Sequence, residues 1–259
     1  SYFHSTNRGK ASVTVDFRTE EGQAQVKELL ADADILIENF KTGGLAKYGL
    51  DYASLSAQFP KLIYCSITGF GHTGPYAHRA GYDFIIMAIT DIFTGVYAST
   101  AILAAVHQRH QTGVGQHIDM ALLDCAVAIT GNQAMNYLTT GKAPTRMGNA
   151  HPNLTPYEVF ECSDGHLIIA TGNDGQYQRL CQLLGLDDMA TAPEYLKNAD
   201  RVANRPEMIR RLTGATRLRS RDDLLAACEA HGVPAGPIND MSDVMADPQV
   251  VARGMQIEL

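Results

Sequence analysis

The sequence lacks the features that mark several classes of protein. Its 21 Lys and Arg residues are outnumbered by 28 Asp and Glu residues and are scattered, so no basic field is offered to nucleic acid or to acidic membranes. The five cysteines form no CxxC pair, and an odd number of separated cysteines is typical of reduced thiols and implies no metal cluster. The phosphate-binding patterns GxGxxG and GxxxxGK[ST] do not occur. These absences argue against a nucleic-acid-binding protein and give no support for the common dinucleotide and nucleoside triphosphate sites, although a local phosphate site stays open.

The start of the chain also lacks familiar signals. It opens with SYFHSTNRGK, which contains no initiating Met and no signal peptide, and no long apolar span is evident in the sequence. We therefore expect a cytoplasmic protein without a membrane partner, and we interpret the chain as part of a longer protein whose true start is missing.

The first third of the chain alternates between strand and helix patterns. Strands are predicted at SVTVDF (12–17), DILIE (34–38) and KLIYCSI (61–67). Strands separated by helical stretches imply right-handed crossovers and a mainly parallel sheet. With 45% hydrophobic residues in 259, the sequence predicts an α/β protein with a Rossmann-like large domain.

Two helices in this part have distinct patterns. Thr19, followed by Glu20 and Glu21, begins an amphipathic helix. Its predicted apolar face consists of Val26, Leu29 and Leu30. A second helix after residue 91 is rich in small and apolar residues and predicts a tightly packed, buried helix that ends at QTGVGQ (111–116). Its apolar positions are Val96, Ala98, Ala101, Ala104 and Ala105.

Glycine-bearing loops follow two of the predicted strands, ENFKTGG (38–44) and TGFGHTGP (68–75). Ligands of parallel sheets bind at the carboxyl ends of strands, so these loops are candidates for a binding site. They are equally well explained as turns that glycine makes possible by adopting positive φ. Other residues here also have a purely structural explanation. Asn39 could be a helix cap, and Arg18 and Lys47 could be solvated surface charges.

Two aspartates, Asp83 and Asp91, interrupt the apolar run GYDFIIMAITDIFTG (81–95). A buried carboxylate is costly unless its charge is held, so each is a cap or a functional group. Asp91 is predicted at or near the N-terminus of the second helix, where free amide groups and the helix dipole would keep it ionised. Asp83 is by default a cap or a hydrogen-bond anchor.

The second half of the chain predicts a smaller α+β domain. A helix and a loop with His151 are expected within 132–160, followed by a strand, turn and helix within 165–185 and by helices near 204–216 and 221–231. We expect a large domain at 1–149, the small domain at 150–235, and a segment at 236–259 that returns to the large domain.

Five stretches together resemble class III CoA-transferases of the CaiB/BaiF type, which include formyl-CoA and carnitine CoA-transferases. They are ENFKTGGLAKYGLDY, KLIYCSITGFGHTGPYAHRAGYDF, ITDIFTGVYASTAILAAVHQRHQTGVGQHIDMALLD, RMGNAHPNLTPYEVF and GVPAGPINDMSDVMADPQVVARG. They occur in the family's order over essentially the whole chain. The resemblance implies an interlocked, ring-like homodimer that moves CoA from an acyl-CoA to a small carboxylic acid, with the CoA thioester as substrate and no tightly bound cofactor.

The resemblance also assigns roles to residues. It places the nucleophilic aspartate at Asp91, which would form a mixed anhydride and then an aspartyl-CoA thioester. It places CoA contacts at Val15, Arg18, Asn39, Phe40, Lys47, Tyr48 and Tyr82, with Arg79 near enough to bind a phosphate. His151 is a candidate for the acceptor pocket, although a loop histidine is more often merely polar surface. GNAHPN and GVPAGPIN are most similar to members that use dicarboxylates with succinyl-CoA.

Two departures and two alternatives remain. The family carries a glycine-rich segment between GYDF and the aspartate, which we expect to be omitted from this sequence. We also expect the family's first strand and helix and its last stretch to lie outside it. Racemases of the same fold have a His at the position of Tyr82, and an unperturbed Tyr is a poor base, which favours the transferase. A non-catalytic CoA-binding protein with Asp91 as a cap is the other alternative.

Overall fold

The computed structural model describes residues 6–79 and 87–256. They belong to two compact units, Ser1–Pro144 and Thr145–Leu259. Residues 236–256 are grouped with the second unit, and whether this segment returns to the large domain stays a prediction.

The first unit is an α/β unit. Its elements are α1 (Glu20–Ala31), β1 (Ile35–Glu38), a short 3-10 helix (Ala46–Tyr48), α2 (Tyr52–Ser56), β2 (Ile63–Thr68), α3 (Met87–Thr112), β3 (His117–Ala121), α4 (Leu122–Ile129) and α5 (Gly131–Thr140). The three strands form a parallel sheet in the order β1-β2-β3. The predicted strands at 34–38 and 61–67 are confirmed, as is the parallel sheet, whereas β3 was not predicted.

The two faces of the sheet are buried in different layers. Successive side chains of a strand point to opposite faces, so Tyr64 packs with the leucines around α1 and α2. Ile63 and Cys65 face the other way and pack with Ala98 and Ala105 of α3. Helices on both faces of the parallel sheet produce the predicted Rossmann-like arrangement.

Helix α1 begins as predicted. The Thr19 hydroxyl accepts a hydrogen bond from the Gly22 amide (3.1 Å), which caps the helix. Leu30 is buried as expected, but Leu29 is exposed, because only one of two adjacent helical positions faces the sheet. Gly22 lies so close to the preceding loop that a Cβ would be 2.0 Å from the carbonyl oxygen of Asp16.

The predicted strand at 12–17 is wrong. These residues form no strand in the described structure, and Val13 is exposed. A strand exists only when a neighbour satisfies its amide and carbonyl groups, and β1 pairs with β2 alone. The segment instead crosses the surface beside α1.

Helix α3 is buried on one side only. Ala98 and Ala105 pack on the sheet, and Arg109 fixes the end of the helix by hydrogen bonds to the backbone carbonyls of Asp34 and Lys61 (3.2 Å each). Gly113, with φ of +75°, follows the helix and ends it as predicted. The prediction that the whole helix is buried is wrong, because Val96 and Ala104 are exposed. One side of α3 covers the sheet, and large apolar side chains on its other side are exposed in the part of the chain that the structure describes.

We call that other side the apolar face of α3. It consists of Ile89, Ile92, Phe93, Val96, Tyr97 and Leu103. By length and composition, Ile89–Thr112 is apolar enough to cross a membrane, although the sequence suggested no such span. A core helix of a soluble protein passes the same test, so this single helix is weak evidence for a membrane.

The second unit is an α+β unit. Its elements are β4 (Tyr157–Glu161), β5 (His166–Ala170), α6 (Asp174–Leu183), α7 (Asp187–Thr191), a 3-10 helix (Pro193–Tyr195), α8 (Asn198–Ala203), α9 (Arg205–Thr216), α10 (Arg221–Ala230), β6 (Ala235–Pro237), α11 (Met241–Ala246) and α12 (Pro248–Ala252). The sheet is antiparallel, in the order β4-β5-β6. The predicted strand and helix within 165–185 and the helices near 204–216 and 221–231 are confirmed.

A buried arginine joins several parts of this unit. Arg201, 1% exposed, donates hydrogen bonds to the backbone carbonyls of Thr155 and Tyr195 and to the carboxylate of Asp174, each 2.9 Å long. Burial works to raise the pKa of Asp174, but the hydrogen bonds and charge of Arg201 and a neighbouring lysine hold the pKa below its usual value. The guanidinium also lies 4.6 Å from the ring of Tyr177. Its charge is therefore neutralised inside the unit.

Candidate active site

A cavity of about 540 Å³ lies at the carboxyl ends of β1 and β2, where the sheet rule places ligands. It is lined by Asn39, Phe40, Lys41, Thr42, Ile67, Thr68, Gly69, Arg79, Asp91, Thr94, Gly95 and Leu122. Four of the residues predicted for the site, Asn39, Phe40, Arg79 and Asp91, thus line one cavity. Lys41, Thr42, Thr68 and Thr94 were missed, although all four lie within the quoted stretches.

Both strand-following loops are fixed by hydrogen bonds. In the first, the Phe40 amide donates to the Glu38 carboxylate (2.7 Å), and no helix begins at Asn39, so the interpretation of Asn39 as a cap is wrong. In the second, the Gly71 amide donates to the Thr68 hydroxyl (2.9 Å), and Gly71 has a φ of +83°. Gly71 therefore makes the turn of this loop possible, while Thr68 and Gly69 of the same loop line the cavity.

Four further predicted residues, Val15, Arg18, Lys47 and Tyr48, do not line the cavity. Phe17 packs edge-on against Phe40 (ring centroids 5.5 Å apart) and against Tyr48 (5.2 Å). Phe17 thus joins Tyr48 to Phe40 of the cavity, and Val15, Arg18 and Lys47 are within two residues of Phe17 or Tyr48 in sequence. The described residues predicted to contact CoA are therefore divided into those that line the cavity and those near this aromatic cluster.

The cations differ in their surroundings. Arg18 pairs through two hydrogen bonds with Asp16 (2.8 and 2.9 Å) and lowers the pKa of that carboxyl to about 2. Lys47 lies 4.7 Å from the ring of Tyr48, and Arg79 lies 4.1 Å from the ring of Tyr76. All three cations are exposed, as expected for surface charges. Of these, only Arg79 lines the cavity with Asp91.

Asp91 is the fifth residue of α3 and does not cap it. The helix extends back to Met87, so the interpretation of Asp91 as an N-cap is wrong. Its carboxylate is exposed and has no hydrogen-bond partner among the residues that the structure describes. A carboxylate that is not engaged in a structural bond is available to react with a ligand in the cavity. Tyr82 and Asp83 lie outside the described residues.

A second, smaller cavity of about 210 Å³ lies under the first glycine loop. There the His117 ring nitrogen Nε2 is 3.0 Å from the Ser66 hydroxyl. Burial, together with the neighbouring His72, lowers the pKa of His117, although two carboxylates oppose this shift. Lys41 lines both cavities. In the described residues no group of three or more His, Cys, Asp or Glu side chains is arranged to hold a metal ion.

His151 lies in the second unit, where its Nδ1 accepts hydrogen bonds from the amides of Asn153 and Leu154 (3.1 Å each). Its ring stacks on Tyr157 at 5.1 Å. These contacts give it a role in the turn of the loop, and its place in an acceptor pocket stays a prediction.

Comparison with known proteins gives one family. The profile of CoA-transferase family III matches residues 1–90 and 85–259. The chain is 51% identical to the succinate–glutarate CoA-transferase of Agrobacterium fabrum over all of its own length and 70% of that protein. It is 37% identical to the human succinyl-CoA:glutarate CoA-transferase, again over all of its own length and 64% of that protein.

A solved structure agrees. A CaiB/BaiF family protein from Brucella suis is 55% identical and superposes with a TM-score of 0.84, over 99% of this chain and 73% of that one. The family match is divided into two parts that overlap at 85–90, just before Asp91, which agrees with the expectation that relatives carry an additional segment there. The alignment with the Agrobacterium protein spans 280 positions for a chain of 259.

Proposed function

The chain belongs to CoA-transferase family III, and from this premise we propose that it moves CoA from an acyl-CoA donor to a carboxylic acid acceptor, with Asp91 as nucleophile. One observation carries the choice of nucleophile. The carboxylate of Asp91 has no structural partner in the described residues, and it shares a cavity with Asn39, Phe40 and Arg79 at the carboxyl ends of the strands.

The reaction follows from an attack by one carboxylate oxygen of Asp91 on the thioester carbonyl. The carbon–sulfur bond breaks, which leaves a mixed anhydride and the thiolate of CoA. The thiolate then attacks the aspartyl carbonyl and releases the donor acid, so that Asp91 holds CoA as a thioester. The acceptor carboxylate attacks this thioester and forms a second anhydride. Attack of the thiolate on the acceptor's acyl carbon gives the new acyl-CoA and restores Asp91.

The surrounding residues bind and orient the substrate. Asn39 and Phe40 are proposed to contact the pantetheine arm near Asp91. Arg79 would hold a phosphate or carboxylate by a charge-assisted hydrogen bond. The group beside Phe40, which consists of Val15, Arg18, Lys47 and Tyr48, would bind the nucleotide end of CoA. Tyr82 would lie near the thioester and His151 near the acceptor acid.

We propose succinyl-CoA as the donor and a dicarboxylic acid as the acceptor. The support comes from the relatives, which include the glutarate transferases named above and a succinyl-CoA:mesaconate CoA-transferase of Haloarcula hispanica that is 37% identical. Arg79 and Lys41 give the cavity two cations, which suits an acid with a second carboxylate. CoA acts as a substrate in this scheme and no tightly bound cofactor is required.

The family resemblance further supports an interlocked homodimer in the cytoplasm. An uncovered apolar face along α3 fits an assembly with a second copy of the chain, because large exposed apolar patches mark interaction sites. The arrangement of the large and small domains in that dimer is part of the same proposal.

The test is covalent trapping. The complete protein is incubated with short acyl-CoAs, quenched with hydroxylamine, and digested for mass spectrometry. We expect a hydroxamate at Asp91 that is strongest with succinyl-CoA and absent from Asp91→Ala and Asp91→Asn. If CoA binds without any label at Asp91 and the α-proton of the substrate exchanges, the proposed function would be that of a racemase and not of a transferase. Binding with neither label nor exchange would leave a CoA-binding protein without this activity.

A further inference from the structure

Two buried hydroxyls flank Asp91 without hydrogen-bond partners in the described structure. Thr90 is 4% exposed and Thr94 is 2% exposed, and the Oγ1 atom of each is buried and unpaired. Buried polar groups in proteins are nearly always paired, so each unpaired hydroxyl calls for an explanation.

Other threonines of α3 have a hydrogen-bond acceptor within their own helix. A threonine in a helix can donate to the carbonyl four residues earlier. Thr100 does so to Val96 (2.9 Å), and Thr112 does so to Gln108 (3.0 Å). Thr94 lies on the same helix and does not make this bond. Its hydroxyl is therefore left available to a group that is not part of the described chain.

Only one of the two unpaired threonines is beside the proposed reaction. Thr94 lines the same cavity as Asp91, whereas Thr90 does not. Residues three apart in a helix are neighbours on its surface, so the hydroxyl of Thr94 lies one turn from the attacking carboxylate. No described residue accepts a hydrogen bond from this hydroxyl, Asp91 included, so a residue that lines the cavity holds an unpaired donor beside the nucleophile.

We propose that the hydroxyl of Thr94 donates a hydrogen bond to the carbonyl oxygen of the acyl group that reacts at Asp91. Attack on the thioester places negative charge on that oxygen, and a buried donor positioned beforehand stabilises such charge more than water does. Thr94 is then a catalytic residue of the acylation step. This inference rests on the proposed function, because it requires Asp91 to be acylated.

The experiment compares Thr94→Val, which keeps the shape and removes the hydroxyl, with Thr94→Ser, which keeps the hydroxyl. Thr90→Val is the matched control, since it removes the other unpaired buried hydroxyl of the same turn. For each protein the rate at which succinyl-CoA acylates Asp91 is measured in a single turnover by rapid quench with hydroxylamine. The affinity for free CoA is measured by calorimetry, and the thermal unfolding temperature is recorded.

We expect Thr94→Val to slow acylation by about 10²–10³-fold, the effect of removing one oxyanion donor. Thr94→Ser should stay within about fivefold of wild type, and Thr90→Val should be close to wild type, with CoA affinity unchanged in all three. Acylation at the wild-type rate in Thr94→Val would overturn the inference. Equal slowing by both valine variants, or a loss of CoA affinity alone, would overturn it too. If wild type is never labelled at Asp91, the proposed function itself fails.

Discussion

Replacing Asp91 with Ala separates a reactive residue from a structural one. The side chain is exposed, lies inside α3 and has no hydrogen bond to lose in the described structure. In a helix interior Ala is more favourable than Asp by at most about 0.7 kcal/mol. The helix dipole favours an acid mainly in the first turn, so little opposes this gain at the fifth residue. We expect the unfolding free energy of Asp91→Ala to be unchanged or higher by up to about 0.7 kcal/mol.

The activity of Asp91→Ala should fall, and by far more than its stability changes. Without its nucleophile the protein has no covalent route, so turnover of succinyl-CoA should fall by roughly 10³-fold or more. Urea denaturation of wild type, Asp91→Ala and Asp91→Asn gives the stabilities, and thioester exchange gives the activities. A loss of about 0.5–2 kcal/mol, which is the effect of removing a helix cap, would refute the placement of Asp91 inside the helix. Retained turnover in both variants would refute its role as nucleophile.

Three further changes test the structure around the site and in the second unit. Gly22→Ala should destabilise the protein by about 1–3 kcal/mol in urea denaturation, because its Cβ would overlap the carbonyl of Asp16. Arg201→Met should cost about 3 kcal/mol in the same assay, since buried backbone carbonyls, that of Thr155 among them, would each lose a donor worth about 1–3 kcal/mol. Burial and a nearby histidine lower the pKa of His117, so the unfolded state takes up its proton more readily than the folded state. The unfolding free energy should therefore fall as the pH drops through 6.5, and His117→Asn should lose part of this dependence.

Each of these expectations has a contradicting outcome. Gly214→Ala is the control for Gly22, because a Cβ there meets nothing within 4 Å in a helix, and a larger loss in the control would remove the steric argument. An Arg201→Met protein as stable as wild type would mean that its hydrogen bonds contribute no net stability. Identical pH profiles for wild type and His117→Asn would show that the ring titrates alike in the folded and unfolded states.

Local patterns predicted the elements whose signals are short-range. The cap at Thr19 and the apolar strands β1 and β2 were confirmed because their residues favour these structures wherever they are placed. Residues 12–17 have the same composition, but a strand also needs a neighbour, which no local pattern supplies. Likewise Leu29 fits an apolar stripe, yet its burial depends on where the sheet lies.

The candidate site was predictable in part for the same reason. The rule for parallel sheets led from two strand ends to Asn39, Phe40 and the second loop, and the cavity lies there. Asp91 lines this cavity and lies near the N-terminus of α3 as predicted, but it is not the cap of the helix. Thr90 and Asp91 are both capping residue types, so the local pattern does not show that α3 already includes them. Thr94 was missed, since only the packed structure shows that its hydroxyl has no partner.

The uncovered apolar face of α3 has a consequence for temperature. The attraction that covers such a face weakens on cooling, because the removal of apolar surface from water is driven by entropy near room temperature. Ile92, which is 68% exposed, and its neighbours along the helix would add to this effect when they are covered. Whatever covers the helix is therefore expected to be held less tightly at about 0 °C than at room temperature.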